Sequence, residues 1–457
     1  MMYEPDTLEE QISAGEHVPV APGCLDGITI MRYAHIERER ASGGVEQYLR
    51  HLHHGLLQRH RVTVLQMHLT RDGASNAIDI EDVGLGRILW VPVPILQTES
   101  RLADLPRRLR CLYDETIRLR QQEGKGRNGA MFSCALDLFR HHGSHLRHRT
   151  TVLSDHLARL LINHKVNLLV VHWMSYDADA LVSRALETGV PFVFINHFDN
   201  TRFALPQNRK WITRAAAIGT VSDRGIPAAL RDRYVDLSDA VDTEFFAPEK
   251  ARPMPVPVRP IVLLPARIDA GKGHSDLMEA ARILIARNVD FALCFVGAIE
   301  SESVHRELRR SVVAMGLGGR VDFLGEKSAE EIRNWYALSS LVALPSHSEG
   351  LGRVLLEAQA MRKPVVAYDC GGMSEAIVPH ETGFLVEKGN VEALADKIGF
   401  LLENESERLR FGQRGREFVS RKFSVSALVQ RHEAFYFRAL SGARAQCNGA
   451  FARREAV

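Results

Sequence analysis

The chain has 457 residues, of which 45% are hydrophobic and 25% are charged, and its formal net charge at neutral pH is +2. This balance is typical of folded globular proteins and excludes a fibrous or intrinsically disordered chain. The length predicts two domains rather than one hydrophobic core, and the small net charge argues against nucleic acid as a partner.

Cysteine placement and the start of the chain indicate a compartment. The six cysteines are scattered, without a CxxC pair or metal-type spacing, which is typical of a reducing cytoplasm. The opening MMYEPDTLEE is acidic where a signal peptide is basic, and no apolar run approaches the roughly 18 residues of a membrane span. We therefore expect a cytoplasmic protein.

The first half of the chain has the pattern of an α/β domain. Residues 1–25 are polar and are interpreted as a flexible tail. Strands are predicted at 28–33, 61–67, 166–171 and 191–195, with a helical stripe at Val45, Leu49, Leu52 and Leu56 and a helix at 177–188. This alternation predicts a parallel sheet covered on both faces, in a domain spanning 26–242.

The second half repeats the pattern after a proline-rich linker at 243–260. Strands are predicted at 261–264, 291–296, 321–324, 341–344 and 364–367, with a helix at 275–288. A second α/β domain is therefore expected at 261–424. The apolar spacing after it predicts a helix at 425–445, followed by a tail at 446–457.

The segment PSHSEGLGRVLLE, residues 345–357, follows an apolar strand and opens a helix. The free amides around Gly350 and Leu351 favour phosphate oxygens, whereas the carboxylates of Glu349 and Glu357 accept hydrogen bonds from sugar or ribose hydroxyls. For an isolated pair, a helix-dipole role for Glu349 and a surface role for Glu357 are the alternative. The glycine-bearing context favours a ligand site.

Other candidates follow strand ends, where open α/β sheets bind ligands. Arg267 and Lys272 lie on a glycine-containing strand-to-helix loop and are suited to a departing diphosphate, or else are solvated charges. The Gly43-Gly44 pair before a helix is either an anion site or a turn. His197, at a strand end, either meets a transferred sugar or is a packed or capping residue.

Together with SGGVE at 42–46, VDT at 241–243, Gly371-Gly372 with Glu375 and TGFLV at 382–386, these motifs resemble the family 4 retaining glycosyltransferases of GT-B architecture. The resemblance covers about residues 28–424. It implies two facing Rossmann-like domains with the active site in the cleft, and a C-terminal helix that crosses back onto the first domain.

The resemblance also implies roles for individual residues. The donor would be a UDP- or GDP-linked sugar, transferred with retention and without a required cofactor. Arg267 and Lys272 would bind the diphosphate, Glu349 the sugar and Glu357 the ribose, with Gly43, Gly44, Gly350 and Leu351 near phosphate and sugar, Gly297 and Leu324 bordering the nucleotide, and His197 as the active-site histidine. The departures are Ala266 and Asp239-Ala240, where the family commonly has Gly and Asn-Gly.

Two further features have competing interpretations. Asp177-Ala178-Asp179 has the Asp-x-Asp form that holds a divalent metal in another glycosyltransferase architecture, but here it opens a helix, so capping is favoured and no metal is predicted. Residues 99–150 contain eleven Arg or Lys against six Asp or Glu, an excess of five positive charges. This segment is either a solvated helical hairpin or a patch that meets an anionic acceptor or the inner membrane face.

The acceptor is left open by the sequence: a glycan, a lipid, a small molecule or a protein all remain candidates. Residues 70–163, which carry no family motif, are assigned to acceptor recognition. The alternatives to transfer are an epimerase or phosphorylase of the same architecture, or a catalytically silent scaffold that binds a sugar nucleotide. The intact set of Arg267, Lys272, Glu349 and Glu357 argues against the scaffold.

Overall fold

A computed structural model describes residues 24–36, 44–70, 78–94, 159–172, 176–196, 211–220, 226 and 228–454. Within these ranges the chain forms two sheets with helices packed against them, in agreement with the predicted α/β class. The strands of the first sheet lie between residues 29 and 236, and those of the second between 261 and 386. The finer domain bounds stay a prediction.

The first sheet has the strand order β3-β4-β2-β1-β5-β6-β7-β8. Its strands are β1 Thr29–Ile36, β2 Thr63–Thr70, β3 Asp79–Val83, β4 Gly86–Pro94, β5 Leu168–Val171, β6 Phe192–Asn196, β7 Ala217–Thr220 and β8 Tyr234–Asp236. Neighbouring strands are parallel except β3, which pairs antiparallel with β4 at the edge of the sheet. The order reverses between β1 and β5.

The second sheet is parallel throughout and has the order β11-β10-β9-β12-β13-β14. Its strands are β9 Ile261–Pro265, β10 Ala292–Val296, β11 Val321–Phe323, β12 Leu341–Leu344, β13 Val365–Tyr368 and β14 Gly383–Val386. Numbered from β9, this is the 3-2-1-4-5-6 arrangement of Rossmann folds. The order reverses between β9 and β12.

Helices connect the strands and cover the sheets. In the described ranges they are α1 Gly44–Arg59, α2 Tyr176–Glu187, α3 His274–Ala286, α4 Glu302–Ala314, α5 Ala329–Leu338, α6 Arg353–Ala360, α7 Met373–Ala376, α8 Val391–Glu403, α9 Glu405–Lys422 and α10 Val425–Arg454. None of these helices combines the length and the apolar character that crossing a membrane requires.

Burial along the strands follows from two-sided coverage. Met31 and Leu169 belong to one buried cluster of the first domain, whereas Ile30 and Leu168 belong to the other, because successive strand side chains point to opposite faces. Both faces are therefore apolar, so the strands are continuous hydrophobic runs rather than alternating ones. This property made them visible in the sequence.

The structure contains elements that were not predicted, and its last helix is longer than predicted. The β3–β4 hairpin falls in the segment 70–163, where no element was predicted, and most of β3 is exposed. An exposed edge strand buries little apolar surface and so has a weak hydrophobic pattern. The prediction that the last helix ends at residue 445 is wrong, because α10 continues to Arg454.

The terminal helix α10 packs against α1 and the first sheet, as the resemblance implies. Buried polar contacts between them include Tyr48 Oη to His432 Nε2 at 2.5 Å, His60 Nε2 to Glu433 Oε1 at 2.9 Å, and Arg32 Nη2 donating to Tyr436 Oη at 2.9 Å. All six side chains are buried. The helix α10, which follows the second sheet in the sequence, thus completes the core of the first domain.

Candidate functional site

The candidate site lies where the strand order of the second sheet reverses. Strands β9 and β12 are neighbours, and each is followed by a loop that leads into a helix, α3 or α6. In a sheet of this kind the two loops diverge to opposite faces and leave a crevice at the carboxyl ends of the strands. The loops at 266–273 and 345–352 form this crevice.

Lys272 and Glu349 meet in this crevice. Lys272 Nζ donates to Glu349 Oε1 at 2.5 Å, and Ser346 Oγ donates to the same oxygen at 3.2 Å. The two charged side chains are 19% and 17% exposed, so the pair is accessible but mostly shielded. The sequence analysis predicted both as site residues, and the fold brings them together although they are 77 positions apart in the chain.

Three strand ends hold Glu349 in place through close backbone contacts. The amide of His347 donates to the Gly271 carbonyl at 2.9 Å, and that of Gly372 to the Gly350 carbonyl at 2.6 Å. A Cβ atom at Gly371, where φ is +56°, would lie 1.9 Å from the Glu349 carbonyl oxygen. Only glycine fits this approach, which explains the Gly371-Gly372 pair in physical terms.

Three backbone amides beside Glu349, those of Gly350, Leu351 and Gly352, have no hydrogen-bond acceptor within the described residues. Gly352 has φ of +71° and directly precedes α6. Amides before the first turn of a helix, with the helix dipole behind them, favour anions.

Glu357 lies one turn into α6 and is oriented by a tyrosine. Tyr336, which is buried on α5, donates its hydroxyl to Glu357 Oε2 at 2.8 Å. Burial raises the pKa of the Glu357 carboxyl above its ordinary value, while the Arg353 guanidinium and the Tyr336 hydroxyl lower it. Tyr336 was not nominated from the sequence, because its apolar surroundings resemble those of any core tyrosine.

Arg267 lies in the same loop as Lys272 but pairs with a different carboxylate. Its Nη1 donates to a carboxylate oxygen of Glu300, in the loop before α4, and both side chains are about half exposed. Nearby, the amide of Gly297 donates to the Gly325 carbonyl at 2.9 Å. Leu324, partly buried, donates its amide to the Phe295 carbonyl at 2.9 Å. These residues border the ends of β9, β10 and β11.

A further contact joins the site to the first domain. Arg353 Nη1 donates to Asp239 Oδ2 at 3.2 Å, and Arg353 Nη2 donates to Gln47 Oε1 at 2.8 Å. Neither partner was nominated from the sequence. The one available signal was Asp239 itself, where the chain departs from the Asn-Gly of the family it resembles.

Several nominated residues lie outside the described ranges: Gly43, His197 and the basic segment 99–150. Gly44 is the first residue of α1. The Asp-x-Asp sequence at Asp177 lies in the first turn of α2, which begins at Tyr176, one residue before the predicted start, and its capping role stays a prediction. Among the described residues, no group of three or more His, Cys, Asp or Glu side chains is arranged to hold a metal ion.

Comparison with known proteins assigns the chain to a family. Residues 249–418 match the family described as glycosyl transferases group 1. The chain is 31% identical over 283 residues to the alpha-D-kanosaminyltransferase of Streptomyces kanamyceticus, a match that covers 56% of this chain and 72% of that protein. The chain belongs to the glycosyl transferases group 1.

Other members of the group match over shorter stretches. The chain is 31% identical to the capsular polysaccharide biosynthesis glycosyltransferase CapM of Staphylococcus aureus, over 37% of this chain and 44% of CapM. It is 30% identical to a D-inositol 3-phosphate glycosyltransferase of Corynebacterium efficiens, over 49% of this chain and 54% of that protein. The chain thus spans about half the length of these two relatives.

Solved structures support the fold of this group 1 member. A glycosyltransferase from Rickettsia africae aligns with a TM-score of 0.62 at 18% identity, over 90% of this chain and 98% of that one. Anabaena HepE, solved in complex with UDP, aligns with a TM-score of 0.61 at 17% identity, over 89% of this chain and 98% of that one. The predicted GT-B architecture is confirmed.

Proposed function

We propose that this protein transfers a sugar from a nucleoside diphosphate sugar to an acceptor hydroxyl with retention of anomeric configuration. The observation that carries the proposal is the meeting of Lys272 with Glu349 at the switch point of the second sheet, beside the amides of Gly350 and Leu351. A cation and helix amides suit a diphosphate, and a carboxylate beside them suits sugar hydroxyls. HepE, a similar fold, was solved with UDP.

Each side chain has a defined task in this proposal. Glu349 accepts hydrogen bonds from hydroxyls of the donor sugar, and Lys272 exchanges its bond to Glu349 for the diphosphate. Glu357, held by Tyr336, accepts from the ribose. Gly297 and Leu324 border the nucleoside, whose base is uracil or guanine. Gly43, Gly44 and His197 are assigned to the phosphate and sugar by the resemblance.

The transfer step breaks the bond between the anomeric carbon and the diphosphate oxygen. The acceptor oxygen forms its new bond on the same face of the sugar, and its proton passes to the departing diphosphate. The main contribution of the protein is electrostatic: Lys272, Arg267 and the oriented amides stabilise negative charge that develops on the leaving group. The proposal requires no metal and no protein nucleophile.

The first test is calorimetric titration with UDP and GDP. We expect one of them to bind, and Glu357→Gln to weaken it about tenfold, because a neutral amide replaces an acceptor of charge-assisted hydrogen bonds. Glu403→Gln, an exposed change at the end of α8, is the matched control and should leave the affinity unchanged. If neither nucleotide binds to the folded parent protein, the proposal fails.

Turnover of a bound nucleotide sugar separates the alternatives. Consumption that depends on an acceptor supports transfer, whereas conversion without any acceptor supports an epimerase. Consumption that requires inorganic phosphate supports a phosphorylase. Binding without turnover in the presence of glycan, lipid and small-molecule acceptors supports a sugar-nucleotide-binding scaffold.

Glu300→Gln is expected to strengthen nucleotide binding about two- to fivefold. Glu300 pairs with Arg267 and would compete with a diphosphate for its guanidinium, but the pair is half exposed and therefore weak. Titration beside Glu307→Gln, an exposed change on α4, measures the effect. Weaker binding of Glu300→Gln would show instead that Glu300 itself contacts the nucleotide.

A further inference from the structure

Arg353 joins α6 of the second domain to both α1 and the chain that leaves the first sheet. It is the first residue of α6, directly after the Glu349–Gly352 segment. Gln47 lies in the first turn of α1. Asp239 lies shortly before Val241, whose amide donates to the Phe423 carbonyl where the chain passes between the domains.

We propose that Arg353 is a positioning residue that links the start of α6 to the start of α1 and thereby fixes the position of the donor site relative to α1. This link is called the tie below. The proposal rests on the proposed function for its effect on turnover. The tie itself rests only on the contacts of Arg353 with Asp239 and Gln47.

The chemistry of the guanidinium suits this task. Arg353 uses Nη1 for the Asp239 carboxylate and Nη2 for the Gln47 side-chain oxygen, so one rigid planar group holds two partners at once. Its side chain is 19% exposed and that of Asp239 is 16% exposed, which limits screening by solvent. A lysine ammonium keeps the positive charge but lacks the two separate Nη groups that bond to both partners at once.

The same guanidinium also stands between two carboxylates. The positive charge of Arg353 lowers the pKa of Glu357, four residues further along α6, and the negative charge of Asp239 raises it more weakly. Removing the positive charge would disturb Glu357 directly and would confuse a positional effect with an electrostatic one. Variants that test the tie must therefore keep a cation at position 353.

The experiment is a double-mutant cycle of Gln47→Ala and Arg353→Lys. Each single variant is expected to lower kcat about tenfold, with donor KM changed less than threefold, because the sites are intact but misplaced relative to one another. The kcat of the double variant is expected to match that of Arg353→Lys alone, because Gln47 acts through its hydrogen bond with the Arg353 guanidinium. Matched controls are Gln413→Ala, within α9, and Arg259→Lys, whose partner Asp290 lies outside the first domain.

A readout without ligand makes the tie testable even if the proposed function fails. Amide hydrogen exchange should become faster in the second turns of both α1 and α6, where the amides are hydrogen-bonded within the helix, in either single variant, although each variant alters only one of the two helices. Additive losses in kcat, or faster exchange confined to the helix that carries the substitution, would overturn the tie. If the parent binds no nucleotide but the exchange result holds, only the proposed function falls.

Discussion

Replacing Lys272 with alanine is expected to lower kcat/KM for sugar transfer by roughly 10²- to 10³-fold, the usual loss when one preorganised group that stabilises a leaving anion is removed. The structure gives a second reason. Without Lys272, the mostly shielded Glu349 carboxylate loses its ion-pair partner beside the place proposed for the diphosphate. Steady-state kinetics with the nucleotide sugar identified by calorimetry measure the loss.

A matched lysine separates this effect from a general loss of charge. Lys397 Nζ on α8 lies 4.9 Å from the ring centre of Phe384, and the residue belongs to the second domain but to neither crevice loop. Lys397→Ala should keep kcat/KM within about twofold of the parent, as for most changes remote from a site. A Lys272→Ala enzyme that keeps more than half of the parent kcat/KM would remove Lys272 from the proposed mechanism.

Gly371→Ala is expected to destabilise the second domain strongly. The positive φ costs a non-glycine residue about 1 to 3 kcal/mol, and a Cβ atom 1.9 Å from the Glu349 carbonyl oxygen adds roughly 1 to 3 kcal/mol of overpacking. The displaced backbone is that of Glu349 itself, so nucleotide affinity should fall together with stability. Differential scanning calorimetry and nucleotide titration report the two losses.

Two other glycines divide the expected cost into its parts. Gly389 has φ of +84° with no atom within 4 Å of its Cβ position, and Gly318 is open and has no such φ. The loss of stability in Gly389→Ala therefore measures the cost of the positive φ alone. Gly318→Ala has neither a positive φ nor a steric overlap and serves as the baseline. Equal destabilisation at Gly371 and Gly389 would mean that the backbone yields without cost, contrary to the expectation.

Local pattern was enough to predict most strands and the residues of the donor crevice. The predicted strand at 341–344 matches β12, and the stripe through Leu49 and Leu52 lies within α1. Strands covered on both faces must be apolar at every position, so the sequence displays them directly. Lys272 and Glu349 were found because each follows such a strand within a glycine-bearing loop.

Contacts between distant parts of the chain left no such local signal. Arg353 contacts Asp239 and Gln47, which lie 114 and 306 positions away in the chain, and Arg267 pairs with Glu300, 33 positions away. The exposed edge strand β3 also left no local signal, because a strand that buries little apolar surface needs no apolar pattern.

By itself, the sequence determined that this chain forms two α/β units with an anion-suited loop in the second, since burial and backbone conformation restrict which residues are allowed locally. Only the tertiary structure decided that Lys272 and Glu349 share one crevice, that Tyr336 orients Glu357, and that Arg353 reaches the first domain. The physical reason is that strand order and helix crossing set these distances, and neither is encoded in the spacing of residues along one segment.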